Sequence, residues 1–282
     1  MIERLAIVGI GLLGGSVARA TRAAGLARRI VGVGRDEQRL APALADGTLD
    51  AIATDLAEGV RGADFVILAA PVLAIERLLE AVWPALDPDV LVTDVGSTKA
   101  AIVSVAERLR ATAPRAFIGS HPMTGSNLAG YAAARADLFR GATVIVTPTE
   151  GTEPRALKSV TEFWESLGAR VLPLDPAGHD RAVAAISHLP HLVAYALVDA
   201  AERFAPAALE VAARGFKDTT RIAASDPQMW QEIFLANRAL LAATLAEFRQ
   251  ALADLERLVT AGDAAGLREA LARIRATRER LR

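Results

Sequence analysis

Hydrophobic positions in the first half of the chain fall in short, β-branched runs separated by amphipathic stretches. A parallel sheet with crossover helices requires this alternation. Leu5–Ile10, Arg29–Val33, Asp64–Ala70, Val90–Val95, Ala116–Ser120, Ala142–Thr147 and Arg170–Pro173 read as strands. Most are apolar on both sides, so helices are expected to cover both faces of the sheet. Helical spacing fills the gaps at Ser16–Ala24, Ile75–Leu86, Lys99–Arg110 and Pro154–Leu167. Beyond about Pro176 the strand signals stop, and helical patterns run over roughly His179–Phe204, Pro227–Ala261 and Asp263–Leu281. The pattern predicts an α/β chain: an N-terminal Rossmann-type, doubly wound, mostly parallel sheet over residues 1–175, then an all-helical domain over 176–282.

Within the helical half, Phe234, Leu241, Leu245, Phe248, Leu252, Leu255 and Val259 recur at steps of 7, 4, 3, 4, 3 and 4. Such a heptad-like stripe either packs inside its own domain or faces a second subunit. Its length favours the second subunit, because about 105 residues cannot easily cover it. The terminal stretch from Leu267 carries six arginines against Glu269 and Glu279 and reads as a solvated helix face.

Composition narrows the function classes. The 282 residues are 52% hydrophobic and 23% charged, which is ordinary globular usage. Lysine and arginine (32) nearly balance aspartate and glutamate (33), so the basic excess of an electrostatic nucleic-acid binder is missing. The absence of cysteine removes disulfides, thiolate catalysis and Cys-ligated metals. No signal-peptide pattern opens the chain. The longest nearly apolar stretch, Phe65–Ile75, has 11 residues and contains Pro71, too short to span a bilayer. A cytoplasmic protein without membrane or nucleic-acid partners is the expectation.

Gly9-Ile10-Gly11-Leu12-Leu13-Gly14 follows the first strand and opens a helix, the context in which GxGxxG marks a dinucleotide site. Gly9 permits a tight turn, Gly11 lets the backbone approach a pyrophosphate, and Gly14 lets helix and strand pack closely. The amides of Leu12 and Leu13 open the helix end that faces the phosphates. Pro71, at the end of the strand Asp64–Ala70, joins the same cofactor-binding set. Where an acid normally binds the ribose 2′-hydroxyl, the chain reads Gly34-Arg35-Asp36. A missing carboxylate beside a guanidinium favours the 2′-phosphate of NADP over NAD, although Asp36 suits NAD if the strand ends two residues later.

Three further segments put polar groups beside glycine near strand ends or on the first helix of the second half. They are Asp94-Val95-Gly96-Ser97-Thr98-Lys99, Gly119-Ser120-His121-Pro122-Met123-Thr124-Gly125-Ser126, and Ile186-Ser187-His188-Leu189-Pro190-His191. Ser97 and His121 both fall just past strand carboxyl ends, where open α/β sheets bind ligands. Together with the glycine motif, the segment Gly215–Ala223 and Ser225-Asp226-Pro227-Gln228-Met229-Trp230, these resemble the prephenate/arogenate dehydrogenases of tyrosine biosynthesis over essentially the whole chain. The resemblance implies oxidative decarboxylation of prephenate or arogenate with hydride transfer to NAD(P)+, by a homodimer joined through its C-terminal helices.

By motif, the resemblance makes His121 the catalytic histidine at the substrate's ring 4-hydroxyl, and Ser97 the catalytic serine beside that hydroxyl and the nicotinamide. It makes Arg221 the partner of a substrate carboxylate and His188 a second substrate-side histidine, with Ser126, Asp218 and Trp230 lining or supporting the substrate pocket. Asn127 and Gly34 depart from the family pattern, touching pocket polarity and cofactor choice. The chemistry agrees with these residue types. A neutral imidazole can draw off the hydroxyl proton as hydride leaves, and loss of CO₂ then yields an aromatic ring with no metal needed. His188 and His191 share a helix face, but without a carboxylate at ligand spacing and with Pro190 between them they do not read as metal ligands. His179 is given no role. A β-hydroxyacid dehydrogenase or imine reductase would share the plan but lacks support, because no lysine–asparagine pair stands on the first helix of the second half. A non-catalytic NADP sensor would have no need of Ser97, His121 and Arg221 together. Prephenate and arogenate are not separated by these residues.

Overall fold

The computed structural model describes residues 1–125 and 128–281. In chain order the elements are β1 (Ile2–Val8), α1 (Leu12–Ala23), β2 (Ala27–Val33), α2 (Glu37–Ala45), β3 (Ala51–Ala53), α3 (Leu56–Val60), β4 (Phe65–Leu68), α4 (Val72–Val82), β5 (Leu91–Asp94), α5 (Ala100–Thr112), β6 (Ala116–Pro122), β7 (Thr143–Thr147), α6 (Pro154–Ser166) and β8 (Arg170–Pro173). The helices α7 (Pro176–Val183), α8 (Leu189–Phe204), α9 (Arg214–Thr220), α10 (Pro227–Ala236), α11 (Arg238–Thr260) and α12 (Ala264–Glu279) follow.

The strands form one sheet in the order β3-β2-β1-β4-β5-β6-β7-β8. The first six strands in that order are parallel neighbours, β6 and β7 are antiparallel, and β8 is parallel to β7. The chain steps from β1 outward to β2 and β3, then returns to β4 on the other side, so the topological switch lies between β1 and β4. Side-chain alternation in β1 shows how the sheet is covered. Leu5 and Ile7 enter an apolar cluster with Val17 and Ala18 of α1 and Trp164 of α6. Ala6 and Val8 enter a second cluster with Ile75 and Leu79 of α4 and Ile102 of α5. All four are at most 3% exposed, as a period of two in a doubly covered strand demands.

The pattern of hydrophobic positions did not show β3, α2 or α3. Each is short, and α2 and α3 are started by Asp36 and Asp55, whose carboxylates cap the helix ends through the N–H groups of Gln38 and Glu58. The expected single helix Pro227–Ala261 is two helices, broken at Asn237. This asparagine is 5% exposed and turns its amide inward to hydrogen-bond the carbonyl of Asp180 at 2.8 Å and Nδ1 of His188 at 3.2 Å. Phe234 of the expected heptad stripe therefore belongs to α10, apart from the rest.

Helices α7 and α8 run on through a π-helical turn at Ala184–His188. Pro190 explains the widening: it has no N–H for the Ile186 carbonyl, and its ring would crowd that carbonyl in a regular α-turn. By length and composition the 29-residue run Pro176–Phe204 is long and apolar enough to cross a membrane. Counting uninterrupted apolar residues overlooked it, because His179, Asp180 and His188 interrupt the run. All three are buried.

Two compact units result, Met1–Asn237 and Arg238–Arg282. In the second, α11 and α12 form a hairpin whose turn places Gly262 at φ +63° and caps α12 with Asp263. Leu252, Val259, Leu271 and Ile274 of this hairpin are exposed.

Candidate active site

Glycine at three positions of the first turn answers three different demands. A Cβ on Gly9, held at φ +99°, would lie 2.2 Å from the Ala69 carbonyl oxygen, and one on Gly14 would lie 1.9 Å from that of Gly9. These two are required by the packing of the chain on itself. A Cβ on Gly11 would meet nothing within 4 Å. Its bare Cα faces open space at the start of α1, whose first turn has no side-chain cap. Uncapped amides at the end of a 12-residue helix, with room for close approach, fit a dinucleotide's pyrophosphate. Leu12 and Leu13 begin that helix, and Pro71 stands exposed at the start of α4, after β4.

Gly34 follows the last residue of the neighbouring β2, and Arg35 is exposed without an ion-pair partner among the described residues. Asp36 is occupied: besides capping α2, it pairs with Arg39 at 3.4 Å.

The next two loops are knotted together by one buried side chain. Asp94, at the end of β5, accepts the Gly96 N–H through Oδ2 at 2.8 Å and the Ser120 N–H through Oδ1 at 3.1 Å. The same Oδ2 pairs with Lys99 Nζ, and both side chains are fully buried. Gly119 makes room for that lysine, since its Cβ would come within 3.1 Å of Lys99 Cδ. Thr93 and Trp164 hold the Ser120 hydroxyl at 2.7 and 3.1 Å. The DVGSTK and GSHP segments therefore form one rigid platform at the carboxyl ends of β5 and β6. Ser97 lies on it, half-buried, its hydroxyl without a protein partner among the described residues.

His121 is the last residue but one of β6 and is 8% exposed. Its Nδ1 lies 2.9 Å from Nε2 of His179, whose Nδ1 lies 2.8 Å from Oδ1 of Asp180. Among the described residues, Nε2 of His121 has no protein partner. Burial pushes the His121 pKa well below 6.5, and the charges of His179, Lys99 and His188 push the same way. His179 is also lowered, chiefly by burial, against the carboxylate of Asp180. Sequence reading gave His179 no role and did not single out Asp180; no local motif marks either, because the pairing spans 58 residues.

His188 is 1% exposed, with Nδ1 on Asn237 and Nε2 buried without a partner. Burial first, then the opposed effects of Asp180 and the nearby histidines, place its pKa at about 4. His191, half-buried, stacks on Trp230 at 3.4 Å with an interplanar angle of 21°. After burial and its bond to the Ser187 carbonyl, the positive charge of Arg221 acts on its ring. Arg221 itself is exposed at the start of a short 3₁₀ turn and has no ion-pair partner among the described residues. Electrostatic influence thus links His121 to His188, His188 to His191 and His191 to Arg221. Trp230 is buried, its Nε1 without a partner.

Asp218 stands apart from these groups, paired along α9 with Arg214 at 3.3 Å while 68% exposed. Ser126 and Asn127 lie outside the described residues. No group of three or more His, Asp or Glu among the described residues is placed to hold a metal ion. A cavity of about 1420 Å³ opens instead at the amino ends of the strands, beside Ile2, Phe65, Leu91 and Ala116. None of the residues above lines it.

Two family models match the chain: residues 17–173 match the nucleotide-binding domain of prephenate dehydrogenase, and residues 175–273 its dimerization domain. Prephenate dehydrogenase of Bacillus subtilis (strain 168) is 36% identical over 242 residues, covering 84% of this chain, which spans 65% of that relative's length. The crystal structure of prephenate dehydrogenase from A. aeolicus, in complex with hydroxyphenyl propionate and NAD+, superposes with a TM-score of 0.92 at 32% identity and covers 100% of this chain and 99% of that one. The Synechocystis arogenate dehydrogenase structure gives 0.85 at 32% identity, over 98% and 99% of the two chains. With the same two modules in the same order and the nucleotide-binding match alone exceeding half its length, the chain belongs to the prephenate dehydrogenase family.

Proposed function

We propose that the chain oxidatively decarboxylates prephenate, arogenate or both, passing a hydride to NAD(P)+. The observation that carries this reading is the Asp94 knot, which sets Ser97 and His121 on one platform at the carboxyl ends of β5 and β6. The glycine turn opens at the same edge of the sheet, after β1. A bound nicotinamide supplies the hydride acceptor. The chain supplies orientation and proton management.

Neutral His121 receives the 4-hydroxyl proton on Nε2 as C4 is oxidised, with the Ser97 hydroxyl beside it to orient the oxygen. Oxidation makes the ring carboxylate vinylogous to a β-keto acid, and its loss as CO₂ restores aromaticity. Arg221, a guanidinium without an ion-pair partner among the described residues, grips a substrate carboxylate. Replacing it with alanine is expected to weaken substrate binding by about 1.5–3 kcal/mol, raising KM by roughly one to two orders of magnitude while dinucleotide affinity stays put.

NADP is the preferred cofactor in this reading. Gly34 offers no carboxylate, Arg35 is free to meet a 2′-phosphate, and Asp36 is engaged at its own helix. The domain division falls at about residue 175, and two copies join through the C-terminal helices, whose exposed Leu252 and Val259 give them an apolar surface to share. Steady-state kinetics over the four pairs of prephenate or arogenate with NAD+ or NADP+ test the whole reading. Turnover with at least one pair is expected, and a lower KM for NAD+ than for NADP+ would reverse the cofactor assignment.

A further inference from the structure

Behind His121 stands a line of groups that the reaction so far leaves unused. Asp180 is 5% exposed, and its carboxylate is fully engaged. Oδ1 accepts the Lys99 N–H at 2.7 Å and faces His179 Nδ1 at 2.8 Å, while Oδ2 accepts the Ala100 N–H at 2.9 Å. A carboxylate held by two main-chain donors stays ionised and can only accept. Neutral His179, completely buried, must therefore carry its proton on Nδ1 and a lone pair on Nε2. That lone pair faces His121 Nδ1 at 2.9 Å, so the proton between the rings belongs to His121. Neutral His121 is then left with a bare Nε2, which has no protein partner among the described residues.

We propose that His179 and Asp180 are positioning residues that lock His121 in its Nδ1–H tautomer and aim the Nε2 lone pair at the substrate hydroxyl. The proposal rests on His121 being the proton acceptor. A backbone without this relay would let the ring take either tautomer, and the Nε2–H form can accept no proton on that side. When His121 becomes imidazolium, its Nδ1–H still donates to an imidazole backed by a carboxylate. Asp180 also binds the amides that open α5, two and three residues past Ser97, so one side chain sets the position of both catalytic groups.

The chain has four histidines, which makes the tautomers readable by ¹⁵N NMR of histidine-labelled protein. The expected spectrum of the wild type near neutral pH shows His121 with a protonated Nδ1 and an unprotonated Nε2. His179→Leu is expected to lower kcat by roughly 10²-fold, less than the ~10⁴ lost when a catalytic-triad histidine is left in the wrong tautomer. KM for substrate and dinucleotide should stay within about twofold, since neither contacts residue 179 in this scheme. His179→Gln places an amide oxygen near the position of Nε2 and is expected to recover about tenfold or more of the lost kcat. An Nε2–H tautomer in the wild type would overturn the proposal, as would equal kcat in the two variants or a loss confined to KM. If the leucine variant fails to fold, the wild-type spectrum still decides. A wild type that turns over none of the substrate pairs would instead remove the reaction reading, leaving the tautomer as a separate result.

Discussion

At the residue scale, the proposed chemistry depends on an imidazole kept neutral where a proton is to be taken. Burial holds His121 well below the usual histidine range, and His179, Lys99 and His188 reinforce it. With neutral His121 as the proposed proton acceptor, kcat/KM should be level through neutrality and fall only as pH drops below about 6.5, through the depressed value. A pH–rate profile that already falls between pH 8 and 7 would contradict this environment. His121→Asn keeps a polar side chain but no base; turnover should drop by roughly 10²–10⁴, with dinucleotide binding near wild type by fluorescence titration. His121, Ser97 and Arg221 stand in motifs, so the sequence could nominate them as candidates. Asp94 and Lys99 lie within a motif, yet their work as a buried knot appears only when β5 and β6 lie side by side.

At the element scale, the strand–turn–helix unit separates glycine that packing requires from glycine that packing does not require. Gly14→Ala drives a methyl to within 1.9 Å of the Gly9 carbonyl oxygen and should destabilise the protein by several kcal/mol, or prevent folding. Gly11→Ala meets only open space. Its melting temperature should stay close to wild type while dinucleotide affinity falls, which thermal scans and cofactor titration separate directly. Equal destabilisation by the two variants would mean that Gly11 is there for packing. The break at Asn237 makes the complementary point. Heptad spacing continues across it, but the amide finds Asp180 and His188, and the backbone turns to let it. Asn237→Ala should cost about 1–3 kcal/mol for the donor removed from a buried site, read as a lower urea midpoint.

For the whole molecule, all four histidines have their pKa values lowered, with burial the first cause in each. A depressed histidine contributes stability that is fully present above its unfolded value near 6.5 and is lost as pH falls through the folded value. His188 alone, at about 4, accounts for roughly 3 kcal/mol lost between pH 6.5 and 4. Thermal unfolding should therefore show a steep loss of stability over that window, and His188→Gln should flatten it. An unchanged slope in that variant would place the acid sensitivity elsewhere. The α11–α12 hairpin exposes Leu252, Val259, Leu271 and Ile274, and sedimentation should report about twice the 29.7 kDa of one chain.

The sequence by itself determined what repeats at short range. The unbroken apolar run Leu5–Val8 demands a strand covered on both faces, and a glycine turn after that strand marks a candidate nucleotide site. These signals are local: each lies within one strand, one turn or one helix period, so periodicity and steric need expose them. Only the tertiary structure decided which polar groups meet. His121 and His179 are 58 residues apart, Asp94 and Ser120 26, and Asp180 and Asn237 57. Buried polar groups must find partners wherever the packed elements put them, and no pattern along the chain records that choice.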